Sequence, residues 1–271
     1  MRRLKVAVPG PLTGPRAAYG DMIRGAVAAF ATAPDLEFQL VDDQADPAVA
    51  ARVAAMVVQG GADVVIGHFN SDCARTAMPI YRSAGIPLLL PASTAAGLAD
   101  GQGVFRLCAD EVQQVHEIAI FLRETLGGRR LSVWSDGSAY AHRLRRVLEA
   151  ATGRTLPDAP PSDDPEQGAG CVVVYLGAHV AVGQRLRQEG PIWSGIAVCC
   201  DDCAIDDFES QARAGTWICA PHLDYGQLLQ EAVLISRRVL LLRTGRWDEV
   251  FDAHGEHRAA TWRLRQIKKR D

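Results

Sequence analysis

The stretch DVVIGHFNSDCARTAMPIYRSAGIPLLLPAST, residues 63–94, decides the fold. It opens on a short apolar run, Val64 to Ile66, that stops at Gly67. A polar loop leads into a helix over 72–85, and IPLLLPAS (86–93) is a second apolar run closed by proline. Apolar runs this short, bounded by Gly and Pro, read as buried strands. Joined through a helix, they become neighbours in a parallel sheet.

The same grammar extends in both directions. Upstream, KVAVPG is a strand, GDMIRGAVAAFA a helix with Ile23, Val27 and Phe30 at helical spacing, and LEFQLVDD a strand. The next helix is well signalled: Asp46 as N-cap, Pro47 in the first turn, Val49, Val53, Met56 and Val57 on one face, and Gly60-Gly61 as its stop. This unit closes near GVFRLCAD (103–110), and a second unit repeats the alternation. Its helices are expected in EVQQVHEIAIFLRETLG, SAYAHRLRRVLEAATG and AVGQRLRQEG, and its strands in RRLSVWSD, CVVVYLGA, WSGIAVCC and GTWICAPH. Residues 156–170, rich in Pro, Asp and Gly, read as a loop inside that unit. A long helix (224–245) and a turn-plus-strand (251–267) end the chain. The expectation is an α/β protein of two doubly wound, Rossmann-like lobes, with ligand bound in a cleft at the C-terminal ends of their strands.

Composition narrows the function classes. The chain has 271 residues, 48% hydrophobic and 23% charged, with net charge −3, so nothing global points to nucleic acid or an anionic membrane. The basic WRLRQIKKRD reads as a solvated edge or tail. No run approaches the ~20 apolar residues that span a bilayer. MRRLKVAVPG enters a strand without a signal-peptide core, so the location expected is cytoplasmic, or periplasmic if a leader has been removed. Seven cysteines fit no disulfide framework and favour a reducing compartment.

VAVPGPLTGPRAAYGDMIRGAVAAF, the 63–94 stretch and FRLCADEVQQVHEIAIFL together resemble the type I periplasmic binding proteins, in particular the leucine/isoleucine/valine-binding receptors of ABC transporters. The resemblance is strong over residues 4–125 and fades after 220. It implies two hinged lobes, 1–109 with 223–251 and 110–222 with 252–271, with crossovers near 107–112, 220–224 and 252–256. It also implies a shortened C-terminal part, since the chain falls several dozen residues below the family norm after Pro221. The first lobe would then need a partner subunit over its exposed core.

Carried over residue by residue, the resemblance places the ligand carboxylate on Ser71 and Thr94, each expected just before a helix. Ala92 O and Asp201 would take the ligand amine, with Asp202 the substitute one residue on. Ser93 completes the PAST loop, and Tyr19 and Tyr140 match the site's tyrosines. Ala178 stands where a second-lobe tyrosine is common, and Asp201 is one methylene shorter than the usual acid. Those departures suit a ligand larger than leucine, or one with its amine placed differently. The implied function is a non-catalytic receptor for an amino acid or derivative, without cofactor, closing to signal to a permease, a cytoplasmic regulator or a second copy.

The residues also admit other readings. Ser71 and Thr94 are natural helix N-caps, the tyrosines natural core, and His68 a structural hydrogen-bonder. PGPLTGP has neither GxGxxG nor GK[ST], so no nucleotide cofactor is expected. SDGSAYAH holds Ser, Asp and His without a GxSxG elbow. Cys199, Cys200 and Cys203 read as strand-end packing. A zinc site would need Cys219 and His222 beside the Cys200–Cys203 pair. The alternative to a receptor is a repurposed cleft doing enzyme chemistry with Asp201, Asp202 and Cys203.

Overall fold

The computed structural model describes residues 2–159, 170–189 and 193–268, so the part of the expected loop from 160 to 169 lies outside the described residues. The chain forms two compact units, Met1–Asp110 with Leu223–Thr261 and Glu111–His222 with Trp262–Asp271.

In the first unit β1 (Leu4–Gly10), β2 (Leu36–Asp42), β3 (Val64–Ile66), β4 (Leu88–Leu90) and β5 (Val104–Arg106) form a parallel sheet in the order β2-β1-β3-β4-β5. β3 and β4 are buried at every position, as interior parallel strands must be. Burying each leucine of β4 contributes about 1.5–3 kcal/mol. Helix α1 (Ala17–Ala28) packs on α8 (Tyr225–Ser236), and α2 (Pro47–Gln59) on α3 (Ser71–Ser83). Ala7, Val65, Leu88 and Leu90 from the strands share one core with Val53 and Val57 of α2 and Ala77 and Tyr81 of α3. The start of α2 is built as its sequence demands: Asp46 Oδ1 accepts from Ala48 N at 2.7 Å, and Pro47 occupies the first turn.

The second unit holds β6 (Arg130–Ser135), β7 (Cys171–Leu176), β8 (Ile196–Cys199), β9 (Trp217–Pro221) and β10 (Trp262–Gln266) in the order β10-β9-β8-β7-β6. Of these described strands only β10 runs antiparallel, against β9. The charges of Arg263 and Arg265 blunt this edge strand, and Arg265 pairs with Glu209. Helices α4 (Glu111–Glu124), α5 (Ala139–Thr152), α6 (His179–Glu189) and the short α7 (Asp206–Gln211) complete the unit.

Residues 252–261 belong to the first unit, whereas the sequence reading assigned them to the second. Their backbone adds to the outer edge of β5: Arg106 N donates to Gly255 O at 2.8 Å and His257 N to Arg106 O at 2.9 Å. Gly255 is required there, because at φ +79 a Cβ would stand 2.4 Å from Val104 O. The fully buried Arg106 forks onto Glu256, gripping this segment from the side. Burial pulls the Arg106 pKa down, but the Glu256 carboxylate, Cys108 and Asp110 together raise it above its ordinary value. No helix of the described residues is long and apolar enough to cross a membrane.

Candidate functional site

In the first unit the expected ligand residues gather where β3 and β4 end. The cap of α3 is Asn70, not Ser71: its Oδ1 accepts from Asp72 N at 2.9 Å and Cys73 N at 3.2 Å. Ser71 is instead the first helical residue, and its Oγ accepts from Ala95 N at 3.2 Å. That bond uses a lone pair and leaves the Ser71 O–H to donate, at the positive end of the helix dipole.

Thr94 does not precede a helix. Residues 91–103 form an irregular loop between β4 and β5, so the helix-dipole argument applies to Ser71 alone. Ala92 and Thr94 are buried in that loop. Ser93 is structural, its hydroxyl donating to His68 O at 2.8 Å. Tyr19 is 2% exposed in α1, among Phe69 and Tyr225 with the Arg16 guanidinium over its ring.

Beneath these loops lies a buried relay. His68 Nδ1 sits 2.6 Å from Asp43 Oδ2, and its Nε2 sits 3.2 Å from the Tyr81 hydroxyl. With the Nδ1 proton on the Asp43 side, Nε2 accepts from Tyr81. Burial, and then Asp43, push the Tyr81 phenol well above its ordinary range. The relay ties the end of β2, the loop after β3 and α3 into one polar network. Sequence reasoning missed it because its members lie 25 and 13 residues apart. The one signal was a histidine directly after a buried strand.

In the second unit Tyr140, on α5, donates its hydroxyl to Asp201 Oδ1. Asp201 is 4% exposed, at a short 3-10 turn after β8. Burial first, then the Asp201 charge, drives the Tyr140 pKa well above its ordinary value, so the phenol stays a donor. Asp202 points elsewhere. Its Oδ2 accepts from His179 N at 2.7 Å and lies 3.0 Å from His179 Nδ1, capping α6. Asp136 also braces this turn, accepting from Ala178 N at 2.8 Å.

The chemistry-bearing alternatives lose their geometry. In SDGSAYAH, Ser138 Oγ caps α5 by accepting from Ala141 N at 3.1 Å, while His142 is exposed. Cys199, Cys200, Cys203 and Cys219 are all buried. Burial holds the Cys203 thiol well above its ordinary pKa, with Cys199 and Cys200 beside it, so it is a poor nucleophile. Among the described residues no group of three or more His, Cys, Asp or Glu could hold a metal ion. A cavity of 860 Å³ runs along α6 and α7, lined by Val180, Leu186 and Phe208, and holds neither Tyr140 nor Asp201.

A family profile described as periplasmic binding protein matches residues 3–155, more than half of the chain. The leucine-, isoleucine-, valine-, threonine- and alanine-binding protein of Pseudomonas aeruginosa is 31% identical over 210 residues, covering 68% of this chain and 56% of that protein. The Leu/Ile/Val-binding protein of Escherichia coli K12 is 34% identical over 157 residues, covering 54% of this chain and 43% of that protein. The chain therefore spans about half the length of the curated relatives it matches. Among solved structures, the branched-chain amino acid transporter substrate binding protein LivJ of Streptococcus pneumoniae, in complex with isoleucine, superposes with TM-score 0.72 at 19% identity, over 86% of this chain and 82% of that one. An ABC transporter substrate-binding protein from Desulfitobacterium hafniense, in complex with Leu, gives TM-score 0.76 at 17% identity, over 99% and 98%. These structural matches establish the fold.

Proposed function

The chain belongs to the periplasmic binding protein family, and we propose that it acts as a non-catalytic receptor for an amino acid or amino-acid-like ligand. The observation that carries this reading is the opposite polarity of the two groups of residues. The first unit offers an O–H donor at a helix N-terminus, suited to a carboxylate; the second offers a buried carboxylate, suited to an ammonium. An amino acid carries both kinds of charge, and each costs several kcal/mol to bury unmet. The relatives' names, which specify leucine, isoleucine and valine, support an aliphatic amino acid.

The partner that fits this reading is an ABC permease responding to the liganded form. A second copy would be expected to meet the exposed Leu234 of α8 and the exposed Leu242. The cytoplasmic location expected from the sequence has no counterpart in the family's description, which favours the periplasm. Calorimetry against amino acids and their amides tests the reading. Leucine-like amino acids should bind and their amides should not, with Ser71→Ala weakening binding and Asp201→Asn weakening it by about tenfold or more. A panel without a binder, or an Asp201→Asn variant that binds like wild type, overturns it.

A further inference from the structure

Arg106 is 0% exposed, lies outside the residues assigned to the ligand, and joins three segments of the first unit. Its Nη1 donates to Ala95 O at 2.7 Å. On the other side Nε donates to Glu256 Oε2 at 2.9 Å and Nη2 to Glu256 Oε1. Ala95 passes the connection on, giving its own amide to Ser71 Oγ at 3.2 Å. An unbroken chain therefore runs from Glu256 through Arg106 and Ala95 to Ser71.

The guanidinium is planar, so a carboxylate gripping two of its nitrogens fixes the plane and with it the direction of the third. Here the third nitrogen carries the backbone of residue 95, next to Thr94, in a loop with no helix or strand of its own. The Glu256 backbone is independently tied to β5 through its neighbours Gly255 and His257. Holding the sheet edge therefore does not require the Glu256 side chain, which remains 32% exposed.

We propose that Glu256 is a positioning residue for ligand recognition: through Arg106 it holds Ala95, and thereby the Ser71 hydroxyl and the Thr94 loop, in the geometry that receives the ligand's carboxylate. The inference rests on the reading of Ser71 and Thr94 as ligand contacts. Glu256 lies far beyond the matched residues 3–155, so it adds a contribution from the distal part of the chain.

The test compares the full chain with its Glu256→Gln and Glu256→Asp variants, using amide hydrogen exchange without ligand and calorimetry with L-leucine. Gln presents a donor where the fork needs an acceptor, whereas Asp keeps both oxygens. Exchange at Ala95 and its neighbours should quicken about tenfold in Glu256→Gln, with α2 unchanged, and should recover in Glu256→Asp. The dissociation constant for leucine should rise roughly three- to thirtyfold in Glu256→Gln. In a Ser71→Ala background the same change should cost clearly less than in wild type, because part of its effect runs through Ser71.

Unchanged exchange at Ala95, a uniform rise across the unit, or an equal affinity loss in both backgrounds overturns the proposal. If wild type binds no leucine, the functional reading is in question while the exchange result still decides the positioning. Should Glu256→Gln fail to fold, Arg106→Lys, which keeps the charge and loses the fork, takes its place under the same criteria.

Discussion

Replacing Tyr140 by Phe removes one oxygen and leaves the ring, so the variant isolates the bond to Asp201. The acceptor is a buried carboxylate, and a hydrogen bond to an ionised group contributes about 1.5–3 kcal/mol net. Asp201 is itself buried but keeps interactions besides the one with Tyr140, so the low end applies. We expect Tyr140→Phe to lose about 1.5 kcal/mol in urea unfolding without ligand. For a unit of this size that corresponds to a melting point lower by about 5 °C. The double-mutant cycle with Asp201→Asn should show a coupling of about 1 kcal/mol, since the two side chains touch. A single variant within about 0.5 kcal/mol of wild type, or strictly additive variants, would refute the claim that this bond fixes the Asp201 carboxylate.

Further outcomes follow from other groups. Tyr81, Tyr140 and Tyr175 all have pKa values raised, first by burial, above the ordinary value of 10.0. A raised folded pKa gives full stability below the unfolded value and loses it as pH climbs, so stability should fall above about pH 10. Tyrosinate absorbance from these three should appear only together with unfolding; early, reversible ionisation of all five tyrosines would contradict it. Asp202→Ala should cost about 1–2 kcal/mol by uncapping α6, read by urea titration, and a stability equal to wild type would count against that role. All seven cysteines are buried, so a thiol reagent should label them only after denaturation, and rapid labelling of Cys203 in the native protein would contradict its packing.

Local chemistry was the legible part. Asp46, Pro47 and the Gly60-Gly61 pair announced α2 because capping acts within a few residues. Cys199 at the end of β8 and Cys200 just after it were readable as core because the run before them is apolar. Ser71 was expected just before a helix but is its first residue, with Asn70 doing the capping, and the loop around Thr94 has no periodicity to reveal that no helix follows. The long-range ties were beyond reach: Arg106 meets Glu256 across 150 residues, and nothing local marks either as the other's partner. The same holds for residues 252–261, whose attachment depends on a glycine turn fitting against β5.

The edge strand β10 has a bearing on how this protein is made. It pairs with β9, but the whole of Leu223–Thr261, committed to the other unit, is synthesised between them. During translation the second unit must wait with its β9 edge open while the ribosome delivers material for the first. Neither unit is a continuous stretch of gene, so neither can be lifted out by truncation or exchanged by a single splice. A nascent chain stopped before Trp262 has an unpaired β9 edge, the point at which a chaperone, or another stalled chain, would find it.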